Sequence, residues 1–154
     1  MIYHQKAIAN NLEIGISKVL SLYGFHVSNS ISYGADIYIK DLDLYIEVKS
    51  SFRYCKSNNK NSKQNFRFSQ YSFKPNELLG CQEFYIFIEK VNTIINFHYI
   101  KKLVIFVVKT SEVRKYMFYK NMDFTKRIQI SVNCIKKLPK YSIIDFIDLI
   151  KNDN

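Results

Sequence analysis

The sequence of 154 residues has no tryptophan, only three cysteines and no long apolar stretch. Cys55, Cys81 and Cys134 are odd in number and far apart, which fits neither a disulfide framework nor a zinc-binding spacing. The longest apolar runs are too short to cross a membrane, and the first residues lack the apolar core of a signal peptide. We therefore expect an intracellular protein, of the cytoplasm or an organelle matrix.

Acidic residues are scarce outside the first third of the chain. Residues 1–50 hold five Asp or Glu and four Lys, for a net charge of −1, whereas residues 51–154 carry a net charge of +11. This basic part predicts a polyanionic partner, although a solubilising lysine surface is the alternative. Because the Asp and Glu residues of the first third precede this basic part, the sequence indicates a local cation site beside a region that attracts phosphate.

The hydrophobic pattern predicts alternating helices and strands. Apolar residues spaced three and four apart predict a helix over residues 4–23, ended by Gly24, and a second one over about 141–151. The other predicted elements are strands at 25–28, 66–69, 83–89, 96–100, 103–108 and 127–132, a helical turn from Pro75 to Gly80, and a helix over 113–117 capped by Thr110–Glu112. This order predicts one α/β domain over residues 1–154, a central mixed β-sheet flanked by helices.

Residues 34–51 are typical of two short strands joined by a polar turn near Leu42. Such a turn sets position 36 opposite position 47 or 48, and side chains on a strand alternate between faces. Glu47 and Lys49 therefore share one face, and Asp36 lies beside them on the neighbouring strand. Two carboxylates and one ammonium ion converge on one patch of a buried sheet.

These three residue types together indicate hydrolysis of a phosphodiester. Two carboxylates at hydrogen-bonding separation raise each other's pKa unless a cation lies between them. Ligands that are all oxygen favour Mg²⁺, which keeps several waters and gains ligands from phosphate. A lysine on the same face can orient or deprotonate a water molecule, or stabilise charge on a pentavalent phosphorus. The alternative is a structural ladder of salt bridges on an exposed sheet face.

Two further features bear on this site. Glu13 lies among the apolar residues of the first predicted helix, and is either a solvated position or a further carboxylate directed at the sheet. The segment from Arg53 to Arg67 has five positive charges and no negative ones, which predicts a loop. Its position after the site favours an arm that contacts phosphates over a solvated connector. The basic residues of this predicted arm are Arg53, Lys56, Lys60, Lys63 and Arg67.

Asp36, followed after a hairpin by Glu47-Val48-Lys49, resembles the catalytic core of the PD-(D/E)XK nuclease superfamily. That superfamily includes restriction and homing endonucleases, repair nucleases and Holliday junction resolvases. The resemblance covers about residues 8–51 and implies a restriction-endonuclease-like core. It departs from the pattern at Ala35, where the proline of the motif would stand.

The resemblance also implies roles for individual residues. Asp36 and Glu47 would hold Mg²⁺, with the backbone carbonyl of Val48 as a further ligand, and Lys49 would assist the attacking water. Glu13 would be a further catalytic residue at or behind the metal, because many members supply a glutamate from the helix before the core. Members often carry a polar residue after the Glu-x-Lys strand, for which Ser69 and Gln70 are candidates, so both join the predicted DNA-binding residues.

We therefore expect a Mg²⁺-dependent endonuclease that cuts double-stranded DNA, at specific sites as restriction or homing enzymes do. Cleavage of both strands needs two active sites, which predicts a homodimer or a higher even oligomer. Two alternatives stay open. One is a Holliday junction resolvase of the same fold, and the other is a nucleic-acid-binding protein without cleavage activity.

Overall fold

The computed structural model describes residues 2–29, 35–56 and 70–152, and within them the side chains of residues 11–29, 35–51, 70–91, 96–98 and 101–152. Short 3-10 turns occur at Lys40–Leu42 and Glu77–Leu79. The helices and strands, in chain order, are α1 (Ile2–Leu22), β1 (Val27–Asn29), β2 (Ile37–Ile39), β3 (Leu44–Lys56), β4 (Gln70–Phe73), β5 (Phe84–Ile95), β6 (His98–Lys109), α2 (Thr110–Tyr119), β7 (Ile128–Ser131), α3 (Val132–Lys136) and α4 (Ile143–Asn152).

The main sheet has five strands in the order β1-β2-β3-β5-β6. β3 and β5 run parallel, and the other neighbours are antiparallel. The parallel pair needs a crossover connection, and β4 lies within it. β4 pairs with β7 in a separate two-stranded sheet. The chain is thus an α/β protein with a five-stranded mixed sheet flanked by helices, as its sequence predicts.

The first half of β5, residues 84–89, is buried on both faces, as expected for its almost unbroken apolar sequence. Phe84, Ile86 and Ile88 face a hydrophobic core formed with α1 and α4. Tyr85 and Phe87 face a second core, formed with β4, β7, α2 and α3. The candidate site lies on the side of this second core, because Glu47 is opposite Tyr85 and Lys49 is opposite Phe87.

The first and last helices agree with the sequence prediction. α1 ends two residues before Gly24, whose φ of 99° favours glycine. α4 begins at Ile143 because the Ser142 hydroxyl accepts a hydrogen bond from the Asp145 N–H, at 3.1 Å, and its apolar stripe is buried in the first core. None of the helices in the described ranges has the length and hydropathy that a bilayer crossing requires.

Three local predictions are wrong. Residues 53–56 are not loop but the end of β3, where backbone hydrogen bonds to β5 outweigh their polar composition. The strands predicted at 96–100 and 103–108 are one strand, β6, which pairs along its whole length with β5. The cap predicted at Thr110–Glu112 is absent, since α2 starts at Thr110 itself and Lys109 precedes it without a side-chain hydrogen bond.

Smaller departures affect the connecting segments. The helical turn predicted from Pro75 to Gly80 is reduced to the 3-10 turn at Glu77–Leu79. Val132, predicted as the last residue of a strand, instead begins α3, whose first turn is capped by the Ser131 hydroxyl. The rest of the predicted basic loop and the strand predicted at 66–69 lie outside the described residues.

Candidate functional site

The hairpin of β2 and β3 brings the predicted site residues together. Ile37 pairs with Ile46, which sets Asp36 opposite Glu47, as the sequence predicts. Asp36 is fixed further by its side chain, because Oδ2 accepts a 2.7 Å hydrogen bond from the Val48 N–H. The register of the hairpin therefore determines which carboxyls meet.

The carboxyl groups of Asp36 and Glu47 contact each other through a hydrogen bond that Glu47 donates. Glu47 is 9% exposed. Burial, and then the charge of Asp36, raise the pKa of Glu47 to about 9. The pKa of Asp36 is also raised, because burial outweighs the hydrogen bond from Val48. The buried carboxyl of Glu47 and the half-buried carboxyl of Asp36 thus share a proton, and a divalent cation could take the place of that proton.

Lys49 lies on the same face but is bound more closely to a carboxylate that the sequence analysis missed. Its Nζ is 3.8 Å from Oε1 of Glu47 and 2.6 Å from Oε1 of Glu77. The Tyr85 hydroxyl donates a 2.9 Å hydrogen bond to the other oxygen of Glu77, and the Gln82 amide donates to that hydroxyl at 3.0 Å. Glu77 therefore orients Lys49, and is itself held by Tyr85.

Glu13 contributes to the electrostatics of the same site. The side chain is about half-buried, and its pKa is raised to about 7, first by burial and then by the charge of Asp36. α1, which carries Glu13, packs in the first core, on the other side of the sheet from Lys49, so both sequence interpretations of Glu13 stay predictions. A group that gains and loses a proton near neutral pH has the property that general acid–base catalysis needs.

The predicted DNA-binding residues are only partly described. Arg53 and Lys56 lie on β3, opposite Val91 and Ile94 of β5. Gln70 is an exposed residue at the start of β4. The remaining ones, Lys60, Lys63, Arg67 and Ser69, lie outside the described residues.

The donor atoms of the site decide whether it could hold Mg²⁺. Within residues 2–29, 35–56 and 70–152, no three His, Cys, Asp or Glu side chains form a group that could hold a metal ion. Mg²⁺ does not need three, since proteins usually bind it through one or two carboxylates, with waters and substrate phosphates as the other ligands. Asp36 and Glu47 supply two carboxylates. Their pKa values are raised, so binding of a proton or a cation stabilises them in the folded protein. These two carboxylates fit Mg²⁺ by the chemistry of their donor atoms, and the role of the Val48 carbonyl stays a prediction.

Comparisons of the chain with protein-family models, curated proteins and solved structures found no match. What the site can do therefore follows from its own geometry.

Mg²⁺ is expected to stabilise the fold more at about pH 8.5 than at about pH 6. In the metal-free protein the pKa of Glu47 rises on folding from 4.5 to about 9, so its contribution to stability falls as pH rises through that interval. Mg²⁺ would take the place of the proton that Glu47 keeps in the folded protein. Its stabilisation of the fold therefore grows as pH rises, because fewer protons then compete with the metal for this carboxylate. The measurement is the Tm in MgCl₂ and in NaCl of equal ionic strength. Equal Tm values in the two salts at the higher pH would contradict a metal site here.

Proposed function

We propose that this protein is a Mg²⁺-dependent DNA endonuclease of the PD-(D/E)XK type, which hydrolyses phosphodiester bonds at specific sites. The observation that carries the proposal is the contact between the buried carboxyl of Glu47 and the half-buried carboxyl of Asp36, with Lys49 on the same face of the sheet. Buried carboxyls in contact lower stability, and well-packed apolar residues in their place would usually be neutral or stabilising. Clusters with such perturbed pKa values are typical of active sites.

The charge of the chain supports DNA as the substrate. The net charge is +10, and β3 continues from Glu47 and Lys49 to the basic positions Arg53 and Lys56 without a break. Lysine and arginine side chains that neutralise phosphates supply most of the affinity of proteins for DNA. A catalytic strand that runs directly into basic positions would place the scissile phosphate and its neighbours along one line.

The proposed reaction is an in-line hydrolysis. The oxygen of a water molecule forms a bond to phosphorus while the bond to the leaving oxygen breaks, the water gives up a proton, and the leaving oxygen gains one. Bound Mg²⁺ would act as a Lewis acid on the phosphate and lower the pKa of a bound water.

Three side chains would act on this reaction directly or through a neighbour. The Lys49 ammonium group can donate a hydrogen bond to a phosphate oxygen and stabilise the negative charge that develops there. Glu77, at 2.6 Å, positions Lys49 for that contact. Glu13, for which the resemblance implies a place at or behind the metal and whose pKa is raised to about 7, would accept the proton that the attacking water releases.

A second function, nucleic-acid binding without cleavage, is favoured by one observation. Lys49 is already paired with Glu77 at 2.6 Å, so it would have to leave or share that partner to contact a phosphate. In this alternative the acidic cluster is structural, and binding depends on salt but not on divalent metal.

Digestion of genomic DNA by the purified protein tests the proposal. We expect cleavage in MgCl₂ and none in EDTA, and sequencing of the fragment ends should show one recurrent site. A preference for four-way junctions over linear duplex would identify a junction resolvase of the same fold. Intact DNA after incubation with folded protein that binds DNA would contradict the proposal and support the binding alternative.

A further inference from the structure

The β5–β6 hairpin ends in a turn that combines two unfavourable features at one residue. Asn96 and Phe97 have φ values of 50° and 65°, so both central residues of this two-residue turn are left-handed. Asn adopts this conformation readily, whereas glycine is usual at the second position, and a bulky residue there is strained. Phe97 is also 94% exposed, so its ring gains almost no packing within the described chain to offset the strain.

Strain and exposure both lower the stability of the hairpin, and a glycine at position 97 would remove both. Residues held in unfavourable backbone conformations cluster at functional sites, where stability is exchanged for activity. The exposed ring of Phe97 therefore indicates a contact with a partner.

The charge around the hairpin indicates which partner this is. The sequence contains no Asp or Glu between Lys90 and Ser111, which covers the end of β5, the turn and the whole of β6, and none between Val48 and Asn76. The strand register places Arg53 of β3 opposite Val91 of β5, and Val91 opposite Lys102 of β6. A basic ribbon that presents an aromatic ring matches a nucleic acid, whose phosphates attract the cations and whose bases contact the ring.

The sheet also sets the distance from the hairpin tip to the catalytic residues. Lys49 is opposite Phe87, and β5 ends at Ile95, eight residues further along the strand. At about 3.3 Å per residue this is about 26 Å, or about eight base pairs of B-form DNA at 3.4 Å each. Arg53 of β3 pairs with Val91 of β5, so its backbone lies between these two levels along the sheet. One duplex could therefore contact the site, Arg53 and the tip.

We propose that the β5–β6 hairpin is a second DNA contact of this protein, with Phe97 as an apolar wedge against the bases about eight base pairs from the scissile phosphate. The distance to the cut rests on the proposed nuclease function, whereas the DNA contact itself does not. Phe side chains on other DNA-binding proteins enter the minor groove in this way and partly unstack a base step.

The test measures binding of the full chain to a mixed-sequence DNA duplex of about 30 base pairs, in EDTA so that no cleavage occurs. Phe97→Gly should bind about tenfold more weakly than the wild type, because it loses the stacking contact. Phe97→Tyr should bind like the wild type, because it keeps the ring. The Tm of Phe97→Gly should not fall, since glycine is favoured in this turn.

Three results would overturn the hairpin proposal. The first is an unchanged affinity of Phe97→Gly for the duplex. The second is a lower Tm of that variant, which would show that the ring packs within the fold. The third is a dimer that forms without DNA in the wild type and dissociates in Phe97→Gly, which would make the tip a contact between two copies of the chain. Normal binding without Mg²⁺-dependent cleavage would count against the nuclease alone. If the wild type does cleave, its footprint should reach about eight base pairs to one side of the cut and shorten in Phe97→Gly.

Discussion

The Glu47→Gln variant is expected to lose about a thousandfold in cleavage rate, yet to fold at least as stably as the wild type without metal. Removal of one of two carboxylate ligands of Mg²⁺ costs several kcal/mol of transition-state stabilisation, at about 1.4 kcal/mol per tenfold in rate. Stability is kept because the folded protein already holds Glu47 as a neutral acid below about pH 9. A glutamine amide has nearly the same shape and can still donate to Asp36.

The difference in stability between this variant and the wild type should grow as pH rises. Glu47 contributes less to wild-type stability at each step from pH 4.5 to about 9, whereas glutamine does not ionise. Denaturant unfolding in EDTA at several pH values measures the difference. Glu83→Gln is a matched control, because Glu83 is exposed and the same change there should alter neither stability nor cleavage. Wild-type cleavage by Glu47→Gln would show that this carboxylate holds no catalytic metal.

The Lys49→Met variant should lose both cleavage and stability. The side chains of Lys49 and Glu77 are only 13% and 11% exposed, so removal of the ammonium leaves a buried carboxylate without its counter-ion. Breaking a buried ion pair in this way costs about 3–5 kcal/mol in the free energy of unfolding. Loss of a cation that faces the phosphate should lower the cleavage rate by about a hundredfold or more.

A double variant separates these two effects. Lys49→Met combined with Glu77→Gln removes both charges, and the glutamine can still accept a hydrogen bond from the Tyr85 hydroxyl. Most of the lost stability should therefore return, while cleavage should not. Recovery of cleavage in the double variant would show that Lys49 has only a structural role, and a stable Lys49→Met single variant would contradict the buried ion pair.

The local part of the site could be predicted from the sequence. Asp36 and Glu47 are joined by a short hairpin, so turn position and strand alternation are sufficient to place them opposite each other. The burial of β5 also follows from its composition. Such features depend on neighbours that are close in the chain, and periodicity reports on them directly.

The non-local part could not be predicted in this way. Glu77 contacts Lys49 across 28 residues of sequence, from a turn that has no periodic pattern. The only signal is Tyr85, a hydroxyl in an otherwise apolar strand, which needs a buried polar partner. Residues 53–56 were predicted as loop because their composition is polar. Their pairing with β5 depends on the path of the crossover connection between the two strands, and local sequence patterns contain no information about that path.

The most direct test of the central claim is the nicking of supercoiled plasmid by the wild type and by Asp36→Asn, purified in parallel. The two proteins differ in one carboxyl oxygen, so a contaminating nuclease would act equally in both samples. We predict Mg²⁺-dependent nicking or linearisation by the wild type, none in EDTA, and at least about a hundredfold less product from Asp36→Asn, which still binds DNA. Equal cleavage by the two proteins, or no cleavage by a folded wild type, would contradict the assignment of this site as a nuclease.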